Sequence, residues 1–287
     1  MLWLILTLLT ALSESVSNAL GKKGAQKVDV LSAAWAQRFF ALFILVPLVI
    51  VTNSFMPVNS TFWVALLSSA ILNTINSIIF FKAVKDSPLS LTLPIVNFTP
   101  VFLLITSPIM LGEFPKPLGL LGILTTVVGS YILNLSQKVH GPLEPIFSIF
   151  KERGSRLMLL VAFIWSLTSN IQKISVQNSN PILTAFLEGS IILILLTIIL
   201  IFQKISFQKI FTNSGLLAPV GITSGLSAIF QMTAISQTIV PNVLAVKRTS
   251  TIFGTIWGKL FFKEDKIKER LAGVVIMVLG VILIVLS

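Results

Sequence analysis

Apolar residues run through this chain in ten stretches, at about 1–20, 31–52, 62–81, 89–111, 117–135, 157–176, 181–203, 215–236, 242–262 and 270–286. Polar and charged residues collect between them. An apolar run of about 20 residues crosses a ~30 Å hydrocarbon core as a helix. Lipid offers the backbone no hydrogen-bond partner, so each span must satisfy its own N–H and C=O groups by being helical. The pattern therefore predicts an all-α polytopic membrane protein with ten transmembrane helices. Pro94, Pro100 and Pro108 crowd the fourth stretch and predict kinks or a break there. The first stretch lacks a basic leader and a clear small-residue cleavage site and carries Glu14. It reads as a retained span rather than a signal peptide.

The stretches repeat. Residues 80–136 can be laid on 231–287 without a gap. Ala83 then falls on Ala234, Glu113 on Glu264, Gly122 on Gly273 and Gly129 on Gly280. The chain divides into a first repeat at 1–136, a connection at 137–156 and a second repeat at 157–287, with five spans in each repeat. An odd number of spans sends the second repeat into the membrane in the opposite sense, so the two five-helix repeats are expected to be inverted. Internal repeats of this kind are the sequence mark of a transporter.

Composition agrees. The chain is 55% hydrophobic and 11% charged, against about 25% charged in soluble domains. Its net charge of +11 is explained by topology rather than by nucleic acid. Lys22, Lys23, Lys27, Lys82, Lys85, Lys138, Lys151, Arg153, Arg156, Lys204, Lys209, Lys259, Lys263, Lys266, Lys268 and Arg270 lie in or beside the loops after odd-numbered spans, and the opposite loops hold only Lys116. Positive-inside then puts the first set in the cytoplasm and both termini outside, with a bacterial-type plasma membrane as the expected location. The absence of cysteine excludes disulfides and thiol chemistry.

The repeated block contains "LTLPIVNFTPVFLLITSPIMLGEFPKPLGLLGILTTVVG" and, in its second copy, "VLAVKRTSTIFGTIWGKLFFKEDKIKERLAGVVIMVLG". Both resemble the EamA domain of the drug/metabolite transporter superfamily, over essentially the whole chain. The resemblance implies spans 1–4 and 6–9 around a central cavity, spans 5 and 10 outside it, and secondary transport of small solutes by alternating access. The second copy has Ala245 and Thr251 where Pro94 and Pro100 stand, so span 9 is expected to be straighter than span 4. "VKRTSTIFG" also resembles the Lys–Arg step of plastid sugar-phosphate translocators, where the pair binds phosphate. Only Lys247 and Arg248 match.

Charges within spans are costly and usually face a cavity. The chain keeps Glu14, Arg38, Lys173, Glu188, Lys247 and Arg248 there. At about 1.5 Å per residue, Glu14 and Arg38 fall in the cytoplasmic third. They are expected to pair, either fixing helices or meeting substrate or a proton. Glu188 falls in the outer third with Lys247 and Arg248, and with Asn170 nearby. One cation is expected to pair with Glu188 and the other to face the cavity and attract an anion, or to serve structure and gating. Asn73, Asn76, Asn97, Asn170 and Gln231 are the uncharged candidates for the cavity wall, with interhelical hydrogen bonding as the alternative. Glu14 and Glu188 are the candidates for coupling or gating. Phe80, Phe81, Phe98, Phe102 and Trp165 can supply an apolar wall or simply pack. Glu113 and Glu264 sit at span ends and are expected to cap helix junctions. Gly254 and Gly258 form a GxxxG step expected to permit close helix approach.

The single histidine, His140, sits in the long connection, and no HExxH or nucleophile elbow is present. No enzyme is expected, and no ATP, metal or organic cofactor. The expected partners are the lipid bilayer and a small-molecule substrate, either an anionic or phosphorylated solute or an amino acid. Proton coupling through Glu14 or Glu188 and facilitated exchange are equally open. Nucleic acid is not expected, and the protein is expected to be a monomer or homodimer. A flippase for lipid-linked substrates, a multidrug exporter and a non-transporting scaffold are the alternatives.

Overall fold

The structure, a computed structural model, describes residues 1–24, 27–87, 89–134, 143–262 and 267–287. Fourteen helices are described: α1 (Leu2–Gly24), α2 (Val30–Val51), α3 (Ser60–Asp86), α4 (Leu89–Val96), α5 (Thr99–Leu111), α6 (Pro117–Asn134), α7 (Glu144–Lys151), α8 (Arg153–Gln177), α9 (Pro181–Phe202), α10 (Gln208–Thr212), α11 (Ser214–Ile235), α12 (Val240–Lys247), α13 (Ser250–Phe262) and α14 (Ile267–Val285). Lys138, His140, Lys263, Glu264 and Lys266 lie outside the described residues, as do the side chains of Lys22, Lys23, Phe81, Lys85, Gly258, Lys259, Lys268 and Arg270.

Each expected span coincides with one helix or with a consecutive pair. Among the described residues, seven segments are long and apolar enough to cross a membrane, including Pro94–Leu111 across α4 and α5. Pro117–Leu133 and Leu271–Val285 are apolar but shorter. Outward apolar side chains such as Phe43, Ile109 and Phe202, exposed by 62%, 79% and 83%, suit acyl chains rather than water.

The chain forms two compact units. One comprises Met1–Thr74 with Ile171–Gln237, the other Ile75–Asn170 with Thr238–Ser287. Each unit therefore draws helices from both sequence repeats.

In the first unit α1 runs antiparallel to α11. Ser227 Oγ donates to the Thr10 carbonyl at 3.3 Å and Ser17 Oγ to the Val220 carbonyl at 3.1 Å. α11 runs parallel to α2, with Gly221 against Phe40 and Gly225 against Ala41 and Ile44. Trp35 Nε1 on α2 donates to Thr197 Oγ1 on α9 at 2.7 Å. Trp35, Ala36, Phe40, Ile192, Leu196, Leu200, Ile210 and Leu217 form the core beneath these contacts.

In the second unit α6 crosses α14 antiparallel at its glycines. A Cβ on Gly122 would lie 2.7 Å from the Gly280 carbonyl oxygen, and one on Gly129 would lie 2.6 Å from the Met277 nitrogen and 2.8 Å from the Gly273 oxygen. The glycines that recur between repeats thus face each other crosswise, first against second, as an inverted pair requires. These four residues let α6 and α14 approach closely, whereas a Cβ on Gly254, the first glycine of the GxxxG step, meets nothing within 4 Å. Gly254 is exposed, so the expectation that it seats a neighbouring helix is corrected.

Candidate functional site

Span 4 is interrupted where α4 ends and α5 begins. The Asn97 N–H bonds to the Pro94 oxygen at 3.3 Å and the Phe98 N–H to the Ile95 oxygen at 3.0 Å. These are bonds to the third preceding residue, a local tightening from α to 3₁₀. Span 9 does the same between α12 and α13. The Arg248 N–H bonds to the Ala245 oxygen at 3.1 Å and the Thr249 N–H to the Val246 oxygen at 2.9 Å. The four positions are equivalent under the repeat, so the kinks are in register.

The expectation of a straighter span 9 is therefore corrected. Proline helps at Pro100, which opens α5, but Thr251 holds the equivalent place with its hydroxyl. Thr251 Oγ1 donates to the Arg248 carbonyl at 2.8 Å, as Thr99 Oγ1 donates to the Val96 carbonyl at 2.8 Å. A hydroxyl that takes a helix carbonyl competes with the backbone ladder and bends it.

Polar atoms stand unsatisfied at both kinks. Asn97 is buried. Its Oδ1 accepts from Ser130 Oγ on α6 at 2.8 Å, while its Nδ2 has no partner among the described residues. Thr249 is buried and its Oγ1 also lacks a partner. Lys247 closes α12, with Arg248 next to it, and both are half-buried. Two further unpaired oxygens, Asn76 Oδ1 and Asn242 Oδ1, belong to the same unit. Buried polar groups are nearly always paired, so these exceptions among the described residues mark places where a further hydrogen-bonding group fits.

Asn170 behaves differently. Its Oδ1 accepts from Ser107 Oγ at 2.7 Å and its Nδ2 donates to Thr106 Oγ1 at 3.0 Å. It stitches α8 to α5. Asn76 donates to the Val161 carbonyl at 3.3 Å. The aromatic candidates pack on rings, with Phe80 on Trp165 at 5.9 Å, Phe102 on Phe163 at 5.5 Å and Phe98 on Tyr131 at 6.2 Å. Glu113 caps a junction: Gly112, at φ 68, ends α5 in the left-handed turn that glycine tolerates, and Glu113 Oε2 then accepts the Val240 N–H at the start of α12 at 3.0 Å.

The first unit holds a separate polar cluster around Glu188, which is 5% exposed. Ser69 Oγ donates to it, Asn73 Nδ2 donates at 3.0 Å, and Gln172 Nε2 reaches both carboxylate oxygens at 3.0 Å. Glu188 is also the charge that acts on the Arg38 guanidinium. Counting depth along the spans places these two in opposite thirds. Each lies about 12 Å from its own end of a ~30 Å span, which leaves their levels only about 6 Å apart in depth. Ser69 and Gln172 escape a sequence reading that looks only for charges and asparagines. The signal for Ser69 is the polar stripe Ser69, Asn73, Asn76 at helical spacing on α3, and that for Gln172 is its place beside Asn170 and Lys173 on α8. Glu14 and Gln231 are half-buried on α1 and α11. Lys173 is buried on α8 beside Gln172. No group of three or more metal-ligating side chains gathers among the described residues.

Comparison with known proteins supplies the context. The model of the EamA-like transporter family matches residues 1–135 and again 153–286. An uncharacterized transporter of Archaeoglobus fulgidus is 25% identical over 288 residues, covering 100% of this chain and 99% of that protein. A crystal structure with 13% identity has the same fold, at a TM-score of 0.79 over 99% of this chain and 96% of its own. With its helices and both repeats accounted for, the chain belongs to the EamA-like transporter family and is an integral, multi-pass membrane transporter.

Proposed function

We propose that this protein is a secondary transporter that moves a small polar metabolite by alternating access, with the substrate held at the paired kinks of spans 4 and 9. One observation carries the reading: the two kinks fall at equivalent positions, and each bears a buried polar atom with no hydrogen-bond partner among the described residues, Asn97 Nδ2 and Thr249 Oγ1. Each kink follows about nine residues of span, which is ~13 Å and so close to the bilayer midplane. Interrupted helices at that depth are where transporters expose backbone and side-chain groups to their cargo. A bound solute would take up hydrogen bonds that the chain leaves open.

Lys247 and Arg248 favour an anionic substrate. Two cations in a site of low dielectric attract negative charge far more strongly than they would in water. The Glu188 cluster serves as coupling or gating machinery, its carboxylate exchanging partners as the spans move. The bias of basic residues toward one set of loops supports an orientation with both termini outside the cytoplasm, in a bacterial-type plasma membrane.

The test is a melting-shift screen of the detergent-purified protein with phosphorylated sugars, carboxylates, amino acids and organic cations, beside Arg248→Gln and Asn97→Ala. A ligand at 100 times its dissociation constant adds about 2.7 kcal/mol to the state it binds. We expect anion-selective stabilisation that weakens in both variants, and matching uptake into proteoliposomes. A shift given by cations or amino acids and unchanged in both variants would move the substrate site away from the kinks.

A further inference from the structure

The short helix α7 precedes α8, and their junction is built rigidly. Glu152, in extended conformation, separates the two helices. Its Oε2 accepts from Ser87 Oγ at 3.1 Å, and the Gly154 N–H donates to the same Ser87 oxygen at 3.2 Å. Gly154 presses on Ala83 and Ser87, Ser148 Oγ lies 2.7 Å from Ser155 Oγ, and Arg153 Nε lies 3.7 Å from Asp86 Oδ2. Ser148 ties α7 to the start of α8, and Ile149 packs it against the buried cluster that holds Ala83, near the end of α3.

α7 is amphipathic. Pro145 and Ser148 are buried, whereas Leu143, Phe147 and Phe150 are exposed by 53%, 57% and 79%. At 3.6 residues per turn the last three fall within about 60° of one another. Lys151 flanks them and is exposed, as is Arg156 one turn into α8, while Glu144 lies at the opposite end of α7. The 25 residues of α8 make about 37 Å of helix, longer than a ~30 Å hydrocarbon core. Its first turn therefore stands in the headgroup layer, and α7 stands there with it.

We propose that α7 is an interfacial helix that inserts Leu143, Phe147 and Phe150 into the adjoining leaflet, and that Lys151 and Arg156 bind the phosphate of an anionic phospholipid. An apolar arc bordered by cations is the surface such a lipid fits, with acyl chains against the rings and the headgroup at the charges. The proposal rests on the membrane assignment and not on any choice of transported substrate.

The chain contains no cysteine, so single labels report single sites. Phe150→Cys and the exposed Gln208→Cys would each carry an environment-sensitive fluorophore, in nanodiscs with and without nitroxide-bearing lipid. The label at 150 should be blue-shifted and quenched more strongly than the label at 208. Native mass spectrometry should show phosphatidylglycerol retained over phosphatidylcholine. That preference should fall about fivefold for each charge removed in Lys151→Gln and Arg156→Gln, in variants whose melting temperature is unchanged. A label at 150 quenched no more than the one at 208 would overturn the insertion. Equal retention of the two lipids, or unchanged retention in the double variant, would overturn the anionic site.

Discussion

Glu188 accepts hydrogen bonds from three side chains on two other helices while almost wholly withdrawn from solvent. Hydrogen bonds between membrane helices average about 0.6 kcal/mol and reach about 1.7, and a charged acceptor belongs at the upper end. A double-mutant cycle of Asn73→Ala and Glu188→Ala, read by thermal unfolding in detergent, should give a coupling energy of about 1 to 2 kcal/mol. Glu188→Gln keeps one acceptor oxygen but sets a new NH₂ against the Gln172 donor. It should lower stability by about 1 kcal/mol. Coupling near zero would mean that the carboxylate is held by something other than Asn73. Of this cluster, the sequence shows Arg38, Asn73 and Glu188 as residues out of place in a span. It does not show that Asn73 meets Glu188, because contact depends on how α3, α8 and α9 pack rather than on their separate patterns.

At the level of the helix, the glycines of α6 and α14 offer a sharp comparison. Gly129→Ala drives a methyl group into the Met277 backbone, an atom that cannot rotate away. Overpacking of this kind costs about 1–3 kcal/mol. Gly254→Ala adds a methyl into open space within a helix and should be neutral or stabilising by up to about 1 kcal/mol. Melting temperatures of the two variants should therefore move in different directions, or only the first should move. The Glu113 cap gives a second test at this scale. Glu113→Ala removes the acceptor for the Val240 N–H and should cost about 0.5–2 kcal/mol, while Glu113→Gln, which keeps an oxygen, should lose less. Glycine and glutamate recur visibly in the sequence. That the glycines of one repeat seat those of the other, and that Glu113 caps a helix of the second repeat, emerges only from the packing.

Across the whole molecule, sequence repeat and compact unit divide the chain differently. α1 packs on α11 and α6 on α14, so each of these helices finds its partner in the other repeat. Residues 1–136 expressed alone leave those faces uncovered, and so do 137–287. Each half alone should be lost to aggregation or proteolysis, while the two co-expressed should co-purify through a tag on one. A stable, monodisperse first half would contradict the interleaving. The family match follows the two tandem segments of the sequence, and the compact units follow the packing.

The sequence by itself determined the spans, the helical class and the pairing of halves. Apolar length and the need to satisfy backbone groups leave no other solution in lipid, and a repeat with an odd number of spans inverts. It also marked the kink of span 4, through proline. The matching kink of span 9 was decided by the tertiary structure, where Thr251 takes the Arg248 carbonyl in place of a proline ring. So were the unsatisfied atoms at the two kinks and the hydrogen bonds that Ser69, Asn73 and Gln172 give to Glu188. The physical reason is common to all three. Hydrophobicity is a property of each residue and accumulates along the chain, whereas hydrogen bonds and charge contacts belong to pairs, and the partners are chosen by packing.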